Sequence, residues 1–340
     1  MPSPGSIIRH IAAEVGVTER SVLRILGGQA PQRQGAAMQR ADRIRALATE
    51  LGYQPSSAAR AIVRGTHQAI GVLCGIGQFS GPLGDAFTRG LLHALLGTDW
   101  RLLLSAYDDD TLTQGDSLPH LLTEWAVDGV LINYHSGFPA SFASAVDRFL
   151  PASIWHNALR PWDAIAPADR DAVCTAVATL AERGHRHLAY LDCWYTSDDR
   201  DGRLHDSNRE RLAGFTAGLT AHGLTGCSIL DLIPDQAAWD HLLAGATPPT
   251  GLIVTSTGVA FELERQLWRH GYTIPQQRSI LVLGDCDSHA GYSGLGIPQQ
   301  AIGTQAIAMV RRKIAEPQRR LRRVMVPFVP VTGCSLGPPG

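Results

Sequence analysis

The sequence predicts a small all-α head followed by a larger α/β body of two lobes, and three observations carry that prediction. Apolar residues recur at helical spacing through the first fifty or so residues, interrupted at Gly16 and again at Gly52. From Ala69 onward, short and nearly continuous apolar runs alternate with amphipathic helical stretches, as expected for parallel strands covered on both faces. Charge divides at the same place. Residues 1–65 hold nine arginines against four carboxylates, a net +5, and since the whole chain is −1 the remainder carries −6. A basic head on an acidic body is the electrostatic footprint of a nucleic-acid-binding module.

Within the head, Ile8, Ile11, Ala12 and Val15 share one helix face, and Gly16 breaks the run. Thr18 is a good N-cap for a second short helix with Val22, Ile25 and Leu26 turned inward. Two short helices joined by a tight Gly-containing turn form a helix-turn-helix unit. Its second helix leaves Glu19, Arg20, Ser21 and Arg24 outside, where they would meet base edges and phosphates in a major groove. The same spacing also fits an ordinary helical hairpin with a solvated face. A third helix is predicted over 36–51, with Ile44, Leu47, Ala48 and Leu51 inside, Arg40, Arg43 and Arg45 outside, and Gly52 closing it. Pro55 stops that helix, and Ser56 or Ser57 can cap a fourth that lasts only two turns before Gly65. So short a segment reads either as a linker or as a helix that orders on DNA.

Four blocks, Gly16-Val17-Thr18, Ser21-Val22-Leu23-Arg24-Ile25-Leu26, Glu50-Leu51-Gly52-Tyr53-Gln54-Pro55 and Ala59-Arg60-Ala61-Ile62, together resemble the headpiece of the LacI/GalR (lactose-repressor/galactose-repressor) family. The resemblance implies a helix-turn-helix DNA-binding headpiece over 1–54 and a hinge helix over 55–67. It implies that Thr18 and Ser21 anchor phosphates, that Glu19, Arg20 and Arg24 read the major groove, and that Tyr53 packs on the backbone. In the hinge it points to Ser57, Arg60 and Ile62, the last as a branched apolar wedge able to unstack a base step in the minor groove. This chain departs from the family at Gly27, at Ser56 and in about four extra residues between Gly27 and Arg40.

The body reads as strands over 69–74, 101–104, 129–132, 152–155, 188–191, 252–254 and 279–283, with a closing strand over 324–329. Helices are predicted between them over 85–96, 118–125, 141–149, 172–182, 208–221 and 259–270. Two such sheets in tandem suggest a cleft, with ligands outside the carboxyl ends of the strands. Ile70-Gly71-Val72, the run 127–132, the run 183–189, the run 209–215 and Gln300 are similar to the same family's effector domain, which has the fold of type I periplasmic sugar-binding proteins. That resemblance implies one domain over 68–340. Its N-lobe would span about 68–156 and 300–322, and its C-lobe about 157–299 and 323–336. The implied effector pocket is Phe79, Asp85, Trp155, His156, Arg209, Ser256, Asp285 and Gln300. Arg209 opens a helix, and its planar fork suits hydroxyl pairs, a carboxylate or a phosphate. Trp155 either stacks on a ligand ring or packs in the core. Ser256-Thr257 stands where the family has Asn-Asp, and Gly284-Asp285 where it has paired Asp, so fewer groups are left to grip sugar hydroxyls.

Composition bounds the alternatives. Six cysteines (74, 174, 193, 227, 286 and 334) lie far apart with no C-x-x-C pair, which fits reduced thiols in the cytoplasm. The opening residues carry no basic segment followed by an apolar stretch, which disfavours an exported small-molecule-binding protein on the same lobes. An enzyme would need a nucleophile-and-base constellation, and neither a G-x-S-x-G elbow nor a Walker A sequence occurs. Asp285-x-Asp287-x-His289 and His185-x-His187 lack the remaining ligands of a metal site, and no cofactor is expected. Asp108-Asp109-Asp110 reads as a solvated turn. The basic run Arg311-Arg312-Lys313 with Arg319, Arg320, Arg322 and Arg323 reads as a solvated helix face and loop, or else as a second nucleic-acid patch. The expected partners are double-stranded operator DNA, a small-molecule effector such as a sugar, and a second copy of the chain, with further pairing of dimers left open.

Overall fold

The computed structural model describes residues 4–27, 35–53, 61, 64–76, 83–108, 126–133, 140–150, 152–192, 205–230, 235–286 and 288–340. The chain divides into two compact units, residues 1–69 with 126–128 and residues 70–125 with 129–340.

In the first unit, α1 (Pro4–Val15), α2 (Glu19–Leu26) and α3 (Ala36–Glu50) close around one core. Ile8, Ile11, Ala12, Val22, Ile25, Ala41, Ile44, Leu47 and Ala48 are all buried there, with Val15, Leu26, Leu51 and Tyr53 packed at its margin. Gly16 (φ +67°) and Gly52 (φ +66°) take the left-handed conformation in which a side chain would be strained. After each, the chain is tied back: the Val17 N–H donates to the Ala12 carbonyl (3.0 Å) and the Tyr53 N–H to that of Ala48 (2.8 Å). Arg43 on α3 pairs with Glu14 on α1 (3.0 Å). Ala61 and Arg64 have helical backbone and the Gly65 N–H donates to the Ala61 carbonyl (2.7 Å). Ser57, Arg60 and Ile62 lie outside the described residues.

The second unit holds two six-stranded sheets. The first has the order β11-β5-β4-β3-β1-β2, from β1 (Ala69–Ile76), β2 (Arg101–Asp108), β3 (Gly129–Asn133), β4 (Ser153–His156), β5 (Ala164–Pro167) and β11 (Val324–Val326). The second has the order β12-β10-β9-β8-β6-β7, from β6 (His187–Leu191), β7 (Thr225–Ile229), β8 (Gly251–Ser256), β9 (Ser279–Asp285), β10 (Ser293–Gly296) and β12 (Val329–Val331). Only β12 is antiparallel to its neighbour among the pairings described. The helices are α4 (Asp85–His93), α5 (Ala140–Phe149), α6 (Asp169–Glu182), α7 (Asp206–His222), α8 (Gln236–Ala244), α9 (Thr257–Arg269) and α10 (Gln299–Ala315). Among the described residues no helix is long and apolar enough to cross a membrane.

Each lobe is closed by a helix pair that meets through glycine. A Cβ on Gly90 of α4 would lie 2.1 Å from the Gln300 carbonyl oxygen, and one on Gly303 of α10 would lie 2.4 Å from that of Phe87. In the second lobe a Cβ on Gly214 of α7 would lie 2.5 Å from the Arg170 carbonyl oxygen on α6. Only hydrogen fits at such crossings.

The sheets correct the expected lobe limits. The sequence placed the first crossing at residue 156, but β5 pairs beside β4 through Trp155↔Ala164 and His156↔Ile165, so the chain leaves the first lobe after Pro167. Ala-Ile-Ala-Pro is too short to show periodicity, and it was hidden in an irregular stretch. The predicted closing strand over 324–329 is two strands. β11 pairs with β5 in the first sheet, Pro327 interrupts, and β12 pairs with β10 in the second. β7 and β10, which sequence reasoning missed, are glycine-containing (Thr-Gly-Cys-Ser-Ile and Ser-Gly-Leu-Gly) and lack an apolar run. The predicted helix over 118–125 lies outside the described residues.

Candidate nucleic-acid interface and ligand cleft

The helix-turn-helix is built from its cap outward. Thr18 has extended backbone (φ −77°, ψ 150°), and its Oγ1 accepts the Ser21 N–H at 3.2 Å. Its hydroxyl also lies 3.0 Å from that of Ser21, so the two expected phosphate anchors are hydrogen-bonded to each other. With Val22 and Ile25 sealed in the core, Glu19, Arg20 and Arg24 are exposed together. Leu23 joins them, 43 % exposed. Pattern reading had no use for an exposed leucine, yet its spacing of four from Glu19 puts it on the outer face. Arg64 Nη2 donates to the Gly27 carbonyl (2.6 Å), bringing the end of the 55–67 segment to the C-cap of α2.

In the body, the described members of the expected pocket fall at the carboxyl ends of strands or on the helix N-termini that follow. Asp85 opens α4, exposed and hydrogen-bonded to Arg89. Ser256 and Asp285 are register partners at the ends of β8 and β9. Ser256 Oγ caps α9 by accepting the Val259 N–H (3.2 Å), while Asp285 is exposed. Gln300, in the first turn of α10, is also exposed. Phe79 lies outside the described residues.

His156 ends β4 with 4 % exposure, stacked on Phe87 of α4 (4.3 Å between ring centres, 17° between planes). Its Nδ1 lies 2.8 Å from Asn133 Oδ1 at the end of β3, and its buried Nε2 has no hydrogen-bond partner among the described residues. Burial pushes its pKa down to about 3, with the charge of His205 acting in the same direction. The ring is therefore neutral at pH 7. With Nδ1–H given to Asn133, Nε2 is a bare acceptor. His205 is the N-cap residue of α7, so that end of the second lobe faces the end of β4. The Leu159 N–H reaches Asp206 Oδ2 (3.0 Å) across the same gap.

Trp155 answers the alternative the sequence left open. It is 1 % exposed, edge-on to Phe142 (6.3 Å) and covered by the Arg160 guanidinium at 4.6 Å, so it packs in the core. Alternation along β4 sends Trp155 toward α5 and its neighbour His156 toward α4.

Arg209 is exposed and paired with Asp206 (2.7 Å). Two residues on, Arg211 is buried, its Nε donating to Asp169 Oδ1 (2.6 Å) at the first residue of α6. Asp192, at the end of β6, accepts hydrogen bonds from Tyr190 Oη (2.8 Å) and Thr255 Oγ1 (3.1 Å) beside that pair. Burial opposes the charged form of Arg211, but Asp169, Tyr190 and Asp192 outweigh it and its pKa is raised. Burial pushes the Asp169 carboxyl up, against the pull of Arg211. Sequence reasoning named the exposed Arg209 and did not single out the buried Arg211. The available signal was the face Asn208, Arg211, Gly214, Phe215 and Gly218, spaced three and four apart and all buried.

Comparison with known proteins agrees with these features. A family profile described as a periplasmic binding protein-like domain matches residues 177–336. The chain is 29% identical to the HTH-type transcriptional regulator PtxS of Pseudomonas plecoglossicida over 93% of this chain and 92% of that protein. It is 25% identical to the HTH-type transcriptional regulator GntR of Escherichia coli K12 over 66% and 63%. In fold it is similar to the lac repressor dimer bound to operator and the anti-inducer ONPF (TM-score 0.76, 17% identity, 96% of this chain and 97% of that one). It is also similar to the transcriptional regulator CelR in complex with cellobiose (TM-score 0.62, 18% identity, 98% and 100%). Helical head, paired α/β sheets and these relatives converge, and the chain is similar over nearly its whole length to HTH-type transcriptional regulators and has the fold of LacI-family repressors.

Proposed function

We propose that this chain is a sequence-specific DNA-binding repressor of the cytoplasm, acting as a homodimer on a pseudo-palindromic operator and tuned by a small-molecule effector between its lobes. The observation that carries this reading is the capped α2, whose Glu19, Arg20, Leu23 and Arg24 stand exposed on one face of a segment with net charge +5. In this reading residues 1–54 are the headpiece and 55–67 the hinge. Thr18 and Ser21 meet phosphates, Glu19, Arg20 and Arg24 read base edges, and Tyr53 supports the backbone contact. Ser57, Arg60 and Ile62 act at the hinge, with Ile62 the wedge. Self-association is supported by apolar side chains left in solvent: Leu92 and Leu96 in and after α4, Leu104 on edge strand β2, and Phe261 and Trp268 on α9.

The effector would be a polyhydroxylated molecule. The bare Nε2 of His156 accepts one of its hydroxyl protons, and Asp85, Arg209, Asp285 and Gln300 supply exposed polar groups around it. Differential binding to two lobe arrangements need supply only a few kcal/mol to change operator occupancy. The test is selection of bound sites from randomised duplex DNA with the full chain, repeated for Arg20→Ala. A lost base preference worth about 1–3 kcal/mol at one or two positions of each half-site is expected. An unchanged preference removes Arg20 from the reading set, and failure to select any duplex overturns the function.

A further inference from the structure

The body is acidic as a whole, yet one edge of it is densely basic. α10 runs back along the first sheet and ends over the amino edge of its strands, where Ile314 packs 2.8 Å from the position of a Cβ on Gly129, the first residue of β3. Arg311 and Arg312 lie on the exposed side of that last turn, and Arg311 sits 5.8 Å from the ring of Trp100, just before β2. The chain then crosses the same edge carrying Arg319, Arg320, Arg322 and Arg323, all exposed, before β11 begins. This crossing is anchored from beneath. Lys313, the only lysine of the chain, is buried and donates to Asp163 Oδ2 (2.9 Å) and to the Arg319 carbonyl (2.6 Å). The other Asp163 oxygen accepts the Leu321 N–H (2.9 Å), and Arg322 bridges Trp162.

The charge is largely uncompensated. Glu316 is taken by Arg319 (2.9 Å), with the charge of Arg312 also acting on it, and Asp163 by Lys313, while the side chains of Arg320, Arg322 and Arg323 make no hydrogen bond or ion pair among the described residues. Holding like charges together costs energy through repulsion, and a polyanion removes that cost. Guanidinium groups match phosphate with two parallel hydrogen bonds, better than lysine does. The basic head and these arginines belong to one continuous chain, so a polyanion bound by either meets both sets of charge through a single molecule.

We propose that the arginine edge formed by the end of α10 and the crossing to β11 is a second, sequence-independent phosphate-binding surface for DNA flanking the site held by the headpiece. The proposal rests on the DNA-binding reading above. The test uses the full chain and a fluorescein-labelled random-sequence duplex of about 60 base pairs, with anisotropy titrations between about 50 and 300 mM NaCl. Each phosphate contact adds about 0.9 to the slope of log K against log salt. Replacing Arg312, Arg320, Arg322 and Arg323 together with Gln should therefore flatten the slope by about 2–4 and weaken binding at least about tenfold near 100 mM. The same four changed to Lys should keep the slope, which separates charge from fold, and unchanged thermal unfolding should accompany both variants. Arg20→Gln with Arg24→Gln should weaken binding independently. If the Gln variant binds as the parent does while the headpiece variant is impaired, the second surface is overturned and the headpiece reading stands. If the parent ignores duplex DNA even at about 50 mM NaCl, both fall.

Discussion

The two lobes share an architecture and differ in what they bury at the ends of their strands. Both are six-stranded, and both close on a helix pair whose glycines bring backbones into contact. In the first lobe the strand ends hold a neutral imidazole with one nitrogen bonded to Asn133 and the other bare. In the second they hold charges already matched to one another, Arg211 with Asp169, and Asp192 with Tyr190 and Thr255. One lobe thus offers an unmet acceptor, and the other a rigid ionic floor. A polar molecule reaching these strand ends would gain more from satisfying His156 than from displacing a partner of Arg211, because removing one member of a buried pair strands the other.

The largest test of that contrast is Asp169→Ala. It leaves the Arg211 charge buried without its partner and should cost about 3–5 kcal/mol in urea unfolding. Asp169→Leu combined with Arg211→Met should recover most of the loss. If the single variant is as stable as the parent, the ionic floor is not what holds α7 to α6. Next, Gly303→Ala probes the shared feature. Its Cβ meets the Phe87 carbonyl, so α10 must move from α4 at a cost of about 1–3 kcal/mol. Hydrogen exchange should rise in α4 and α10 and remain unchanged in α6 and α7. Loosening of both lobes together would mean that they unfold as one unit.

Much of this arrangement was legible in the chain because core-forming periodicity is a local signal. Ile11, Val22, Ile44 and Leu47 declare the head by spacing alone, and strands such as 129–132 declare the sheets by unbroken apolar runs. What escaped notice depends on partners far away in sequence. Ala-Ile-Ala-Pro becomes β5 only because β4 and β11 flank it, and the pair Pro327-Phe328 marks a change of sheet that no composition announces. The polar groups at the strand ends were least legible. Arg209 and Arg211 differ by 200° around α7, so two arginines close in sequence stand one exposed and one buried. The floor itself joins residues 42 apart (Arg211 and Asp169) and 63 apart (Thr255 and Asp192), beyond the reach of any periodic pattern.

The pH dependence sharpens the first lobe's side of the comparison. His156 titrates near 3 in the folded protein and near 6.5 when unfolded, so between those values the unfolded chain binds the extra proton. Its contribution is full above about pH 6.5 and is lost as pH falls toward 3, amounting to about 2 kcal/mol at pH 5. His185, whose pKa burial also lowers, adds a loss in the same direction. Thermal unfolding of the parent should therefore weaken between pH 7 and pH 5. His156→Phe, which keeps a ring on Phe87, should remove part of that slope. A slope unchanged by the variant would mean that His156 is open to water in solution.

The smallest expected change in stability belongs to Arg209→Ala. Its pair with Asp206 is exposed, and the other Asp206 oxygen keeps the Leu159 N–H, so unfolding should shift by less than about 0.5 kcal/mol. That near silence makes the variant useful. Whatever it changes in a thermal-shift screen of neutral sugars and sugar acids reports on the ligand rather than on the fold. Loss of a ligand-induced shift would make Arg209 a contact and leave the ionic floor as its support. A shift retained in Arg209→Ala would move the recognition role to the His156 side of the cleft, where His156→Phe should then abolish it.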